Sequence, residues 1–137
     1  MTAGTDKSVV SRKVLVVDDD DMIREMLAEA LSARGYEVVT AESGEEALEI
    51  MEKEQIHVQL FDMQLPGING VELCRKSREM NPVAVRFAMT AYVSVFNLLE
   101  AREAGFDDYF VKPFTLDAIL KHVECAFERV ERWRRGK

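Results

Sequence analysis

Five short apolar runs alternate with amphipathic stretches along this chain. The first run is Val14, Leu15, Val16 and Val17, with no polar alternation, as expected of a strand covered on both faces. Ile23, Met26, Leu27, Ala30 and Leu31 then recur at helical spacing, and the stripe stops at Gly35, well placed for the positive φ of a helix C-terminus. Val38 and Val39 predict a short second strand. Ser43 with Glu46 has the spacing of a capping box that opens a helix through Ala47, Leu48 and Met51. The third strand is predicted over 57–61, ending at Asp62, and the turn-rich segment MQLPGING follows it. A helix over about 71–80 is stopped by Asn81-Pro82. The fourth strand lies within 83–89, its helix ends at Gly105, and Tyr109, Phe110 and Val111 form a fifth strand. The last helix starts near Thr115 and carries Leu116, Ile119, Leu120, Val123, Phe127 and Val130 on one stripe.

Five strand–helix units of this kind predict an α/β fold: a doubly wound, five-stranded parallel sheet with helices on both faces, because parallel strands need crossovers. Such a sheet has a crevice at the carboxyl ends of its strands. The residues just past the strands are therefore the candidates for chemistry. They are Asp18 and Asp19 after the first, Asp62 after the third, Thr90 after the fourth and Lys112 after the fifth.

Composition narrows the function classes. A chain of 137 residues is one ordinary domain, and 47% apolar with 31% charged residues argues against disorder and against a membrane protein. Acidic residues outnumber basic ones 25 to 18, a formal charge of −7, which speaks against broad nucleic-acid binding because phosphate contacts need clustered Lys and Arg. There is no apolar run of about 20 residues and no signal-peptide h-region near the start, so a soluble, cytoplasmic protein is expected. Cys74 and Cys125 fit no zinc spacing and read as idle thiols in a reducing compartment. His57 and His122 are too scattered for a metal site and read as surface residues.

Three carboxylates in one crevice repel one another unless a cation joins them. An all-oxygen site without His or Cys suits Mg²⁺, and a carboxylate beside it can serve as a nucleophile toward phosphorus. Phosphoryl transfer then needs little beyond positioning and charge neutralisation, which a Lys ammonium and a Thr hydroxyl can help supply. Each residue also has a plain structural alternative. Asp18 to Asp21 could form an acidic cap on a helix N-terminus, and within that run Asp20 and Asp21 are assigned to capping, Asp21 as the better N-cap. Asp62 could start a turn, Thr90 could end a strand, and Lys112 could be a surface lysine before Pro113.

Four motifs decide between these readings. VLVVDDDDMIR, LFDMQLPGING, MTAY and DDYFVKPF occur in the order and spacing of the receiver domain of two-component response regulators, and the chain resembles that family from about Lys13 to Phe127. The resemblance implies the strand order 2-1-3-4-5. It implies that Asp62 accepts a phosphoryl group from a phosphohistidine on a histidine kinase or phosphotransfer protein. Asp19 would bind Mg²⁺ directly, Asp18 would mostly hold metal-bound water, and the backbone carbonyl of Gln64 would be a further ligand alongside Asp62. Thr90 and Lys112 would hold the phosphoryl oxygens, Tyr109 would be the aromatic switch that follows Thr90, and Pro113 would follow a cis peptide bond. Signalling would pass through the face of the fourth helix, fifth strand and fifth helix to a downstream protein or output domain.

Two other functions compete. A phosphatase of the haloacid-dehalogenase type shares the aspartate, Mg²⁺, Thr/Ser and Lys, but wants an acid two residues after its nucleophile, where this chain has Gln64. A receiver-like module that works without phosphorylation would be expected to lack at least one of Asp18, Asp19, Asp62, Thr90 and Lys112. The expected organisation is a lead-in over 1–11, a receiver domain over 12–128 and a basic helical extension over 129–137. The last helix would run about 20 residues, roughly 30 Å, and overhang a short sheet. Residues past Phe127 are therefore expected to pack poorly on their own domain, with Trp133 exposed or covered by another chain, which leaves room for a homodimer.

Overall fold

The computed structural model describes residues 12–135. In chain order the elements are β1 (Lys13–Val17), α1 (Asp21–Ala33), β2 (Glu37–Ala41), α2 (Gly44–Lys53), β3 (Val58–Asp62), α3 (Gly70–Met80), β4 (Val85–Thr90), α4 (Val95–Ala104), β5 (Asp108–Val111) and α5 (Leu116–Arg135). The sheet is parallel throughout, in the order β2-β1-β3-β4-β5, so strand order reverses between β1 and β3. The expected fold class and topology are both present. The 1–11 lead-in and the end of the basic extension lie outside the described residues.

Alternate residues of the central strands feed two cores. Val14, Val16, Val58, Leu60, Phe87 and Met89 pack with Leu27 and Leu31 of α1 and with Ile119, Val123 and Phe127 of α5. Leu15, Val17, Phe61 and Ala88 pack with Ala47 and Met51 of α2, Leu73 and Cys74 of α3, and Ala101 and Ala104 of α4. Each fully buried Leu or Phe contributes about 1.5–3 kcal/mol of transfer free energy, so it is the two-sided burial of β1, β3 and β4 that fixes the sheet. The edge strands β2 and β5 are mostly exposed or half-buried.

Helix ends follow their local chemistry, with one correction. Ser43, Asn69 and Ser94 cap α2, α3 and α4 by accepting the N–H groups of Glu46, Glu72 and Asn97. The N-cap of α1 is Asp20, not Asp21. Asp20 has the extended backbone a cap requires and its carboxylate accepts the Met22 N–H, which leaves Asp21 in the first helical turn, where it pairs with Arg24. Gly35 and Gly105 both take positive φ where their helices stop.

The tail of α5 departs from expectation in one turn. Val130 is 2% exposed, because the α5 stripe still covers the sheet there. Just before it Phe127 stacks on Tyr36 at 5.2 Å, with the Arg12 guanidinium 5.8 Å from both rings, and Arg12 also pairs with Glu131. Trp133, one turn further, is 65% exposed. Both histidines are half-buried rather than superficial. His57 bonds Asn81, and His122 stands edge-on to Phe87 and Phe110.

Candidate functional site at the carboxyl rim of the sheet

The parallel ladder continues one bond beyond three of the strands, and this continuation sets the site. The Asp18 N–H donates to Ala41 O, the Met63 N–H to Met89 O, and the Lys112 N–H to Thr90 O, at 2.8–3.1 Å. Asp18, Asp62, Thr90 and Lys112 are thereby held at one end of the sheet by backbone geometry. Asp18, Asp62 and Thr90 are buried, at 0%, 3% and 0% exposure, whereas Asp19 faces solvent. Carboxylate oxygens of Asp18, Asp19 and Asp62 lie within 4.8 Å of one another.

Among the described residues, one cation, Lys112, serves this cluster from the protein side. Lys112 Nζ stands 2.9 Å from Asp18 Oδ2 and 3.3 Å from Asp62 Oδ2. The other oxygen of each acid is tied down locally, Asp18 Oδ1 by the Asp20 N–H and Asp62 Oδ1 by the Gln64 N–H. Burial pushes the Asp18 carboxyl above its ordinary range and the Asp62 charge adds to the push, while the Asp20 N–H and Lys112 oppose it. Burial also works against the Lys112 ammonium, but Asp18 and Asp62 outweigh it and hold its pKa above that of a free lysine. One ammonium among three acids leaves a deficit of positive charge.

Residues 14–124 match the sequence family described as "Response regulator receiver domain". The chain belongs to that family. A receiver domain protein (CheY-like) from Methanospirillum hungatei JF-1 is similar in structure, with TM-score 0.86 and 31% identity over 90% of this chain and 98% of that one. A response regulator protein from Burkholderia pseudomallei, solved with a phosphorylated aspartic acid, a calcium ion and citrate, is similar at TM-score 0.78 and 28% identity, over 88% and 71% of the two chains. Among curated relatives, a cyclic di-GMP phosphodiesterase of Thermotoga maritima is 40% identical over 85% of this chain, which spans 32% of that protein. This receiver domain spans between a third and about half the length of the first curated relatives it matches.

The receiver fold brings Asp18, Asp19, Asp62 and Lys112 into one cluster and sets Thr90 at its edge. The Thr90 hydroxyl is engaged by Tyr92 and Gln64. It donates to Tyr92 O at 2.8 Å and accepts from the Tyr92 N–H and, at 3.4 Å, from Gln64 Nε2. Tyr109 is 39% exposed, and Lys112-Pro113 is cis. No helix among the described residues is long and apolar enough to cross a membrane.

A divalent cation fits the donor set. The three carboxylates offer hard oxygen ligands with no nitrogen or sulfur among them. Asp18 Oδ2 is buried, with the Lys112 ammonium at 2.9 Å as its ion-pair partner. Two further contacts were not singled out from sequence, one from Arg24 and one from the Gln64 side chain. The Arg24 guanidinium donates to the Asp18 carbonyl at 2.6 Å and also reaches Asp21 and Glu42, clamping the acid loop from α1. The Gln64 side chain spans the rim to Thr90. An arginine one turn into a helix that starts with acids was the available signal for the first; nothing in the sequence distinguishes the second.

Proposed function

We propose that the chain is a phosphorylation-dependent switch of a two-component system, with Asp62 as phosphoacceptor for a histidine kinase or phosphotransfer protein. The observation that carries this reading is Lys112 placed between Asp18 and Asp62, beside an acid cluster that one lysine cannot neutralise. An Asp62 carboxylate oxygen attacks the phosphorus of the donor phosphohistidine. The P–N bond breaks and the departing imidazole nitrogen keeps the electron pair. Lys112 moves from bridging two acids to holding a phosphoryl oxygen. The Thr90 hydroxyl leaves Tyr92 to reach another. Asp19 directly, Asp18 mostly through water, Asp62 and the Gln64 backbone carbonyl would hold Mg²⁺, which when bound supplies charge neutralisation at the phosphoryl oxygens. A calcium ion and a phosphorylated aspartic acid together in the Burkholderia relative support a phosphoaspartate chemistry with a divalent cation.

The readout face is α4, β5 and α5. Tyr92, Val95, Phe96 and Leu99 are 58–76% exposed, an apolar surface too continuous for a solvated helix. A groove of about 1010 Å³ runs between α4, β5 and the end of α5, with Leu99, Tyr109 and Trp133 among its walls. Thr90 turning toward the phosphoryl group frees space for Tyr109 to turn inward, a two-state packing change that a downstream protein, an output domain or a second copy can read. A cytoplasmic location accords with this role, and no direct nucleic-acid contact is assigned to this segment. The chain catalyses its own phosphorylation and dephosphorylation, without turnover on other substrates. The phosphodiesterase activity in the Thermotoga protein's name is not carried over, because two-thirds of that protein lies outside the match.

Incubation with acetyl phosphate and Mg²⁺ followed by intact-mass measurement tests the assignment. The wild-type chain gains one phosphoryl group and Asp62→Asn, nearly isosteric but a poor nucleophile, gains none. An equal adduct on the variant, or steady hydrolysis of phosphate esters by the wild type, overturns it.

A further inference from the structure

The loop over 63–69 carries Gln64 away from Asp62 and returns to α3, and α2 presses on its far end. The return is tight: a Cβ on Gly70 would lie 2.3 Å from the Asp62 carbonyl oxygen, so α3 begins directly against the phosphoacceptor's own backbone. At the tip, Gly67 has φ +72°, and a Cβ there would meet Glu45 Oε2 at 2.7 Å. The same carboxylate oxygen accepts the Ile68 N–H at 3.2 Å. Gly44 sits equally close, since its Cβ would lie 2.9 Å from Ile68 O. Glu45 has no capping duty of its own. Ser43 takes the Glu46 N–H and Glu46 takes the Glu42 N–H, so the exposed Glu45 side chain is left to reach across to the loop.

We infer that Glu45 is a positioning residue for the phosphoacceptor loop, acting through Ile68 and Gly67 on the path of 63–69 and so on Gln64. The inference rests on the reading of Asp62 as a phosphoacceptor with Mg²⁺ held beside it. Glu45 touches neither the acids nor the phosphoryl group. It anchors the end of the loop opposite the Gln64 N–H bond to Asp62 Oδ1, and with both ends tied the Gln64 carbonyl has one place to be.

Three variants separate reach from charge. Glu45→Gln keeps an acceptor at the right length, Glu45→Asp keeps the charge but is one methylene short, and Glu45→Ala removes both. Expected for Asp and Ala alike are a drop in Mg²⁺ affinity and in the rate of acyl-phosphate formation from acetyl phosphate of about 3- to 10-fold. Glu45→Gln stays near wild type. Hydrogen exchange at the Ile68 amide gives a readout independent of activity. It speeds up in the Asp and Ala variants and not in Gln, while the melting temperature, with the Ser43 cap intact, moves by no more than about 2 °C. Equal Mg²⁺ affinity in wild type and Glu45→Ala, or an Asp variant that behaves as wild type, overturns the positioning role while leaving Asp62 untouched. A wild-type chain that takes no phosphoryl group overturns the parent reading, and this one with it.

Discussion

The two ends of the parallel sheet both bury charge, and they do so in opposite ways. At the carboxyl rim, acids outnumber the cation: Asp18 and Asp62 share one lysine and Asp19 adds to the excess. At the amino end, a cation has no acid against its guanidinium among the described residues. Arg86 is 3% exposed and donates from one nitrogen to Ser77 Oγ at 3.1 Å and to the Asn81 carbonyl at 2.9 Å. Gln59, its register partner on β3, accepts from Ser77 at 2.5 Å and donates to Ile56 O, and Asn81 reaches on to His57. Burial lowers the Arg86 pKa, and the Asp107 carboxylate, which helps oppose this from a distance, is bonded instead to the Arg86 backbone N–H and to Arg129. A charge held by neutral dipoles at the end of α3, themselves tied to Gln59, has nowhere to go. A lysine divided between two acids can be recruited by an incoming anion. The amino end is built to stay and the rim is built to change.

The largest expected effect breaks the fixed end. Arg86→Ala removes the guanidinium's hydrogen bonds, leaves Ser77 only its bond to Gln59 and the Asn81 carbonyl only the Ala84 N–H, and opens a cavity under α3, for a loss of about 3 kcal/mol. Urea unfolding should show a lower midpoint at unchanged slope. The folded variant should still accept one phosphoryl group at Asp62, because the two ends share no side chain. A midpoint equal to wild type would mean that the polar network does not hold α3 to the sheet.

This contrast was only half legible in the sequence. The rim could be read because strand ends are marked by where apolar runs stop, and Asp18, Asp62, Thr90 and Lys112 each stand at such a stop. The amino end was hidden because Gln59 and Arg86 interrupt apolar runs singly, and one polar residue in a strand gives no sign of which face it takes or what meets it. Their pairing is a property of register between β3 and β4, and Ser77 comes from a separate helix. Asp20 against Asp21 as the α1 cap turned on one residue of backbone conformation, below what residue type resolves. Val130 remained covered because α5 leans on the sheet for a turn longer than strand length alone suggests.

A smaller effect sharpens the rim. Without divalent cations the acids of the cluster repel, so Asp19→Ala in EDTA should melt at least as high as wild type, by about 1 °C more at low salt, with the gain fading as salt screens the exposed carboxylate. Added Mg²⁺ should then raise the melting temperature of the wild type clearly, of Asp18→Ala less and of Asp19→Ala least, in the order of direct against water-mediated ligation. A markedly lower melting temperature for Asp19→Ala in EDTA would show that the cluster is not under repulsion.

The smallest effect is a difference in the sign of pH response between the two ends. At the amino end, burial lowers the His57 pKa from 6.5, the positive charge of Arg134 lowers it further, and the bond to Asn81 opposes both. The unfolded chain therefore takes up this proton more readily than the folded one. The stability His57 contributes is present above about pH 6.5, drains as pH falls through that value toward the lower folded-state pKa, and is gone below it. Asp18 runs the other way. Its folded pKa lies above 3.8, so over the interval between the two values the folded state holds the extra proton and falling pH favours it. Urea midpoints measured from about pH 7.5 down to about 5.5 should decline for the wild type, and His57→Gln, which cannot titrate, should flatten the decline. Parallel wild-type and His57→Gln curves would remove His57 from the pH response of the amino end and leave its role there to packing against Asn81 alone.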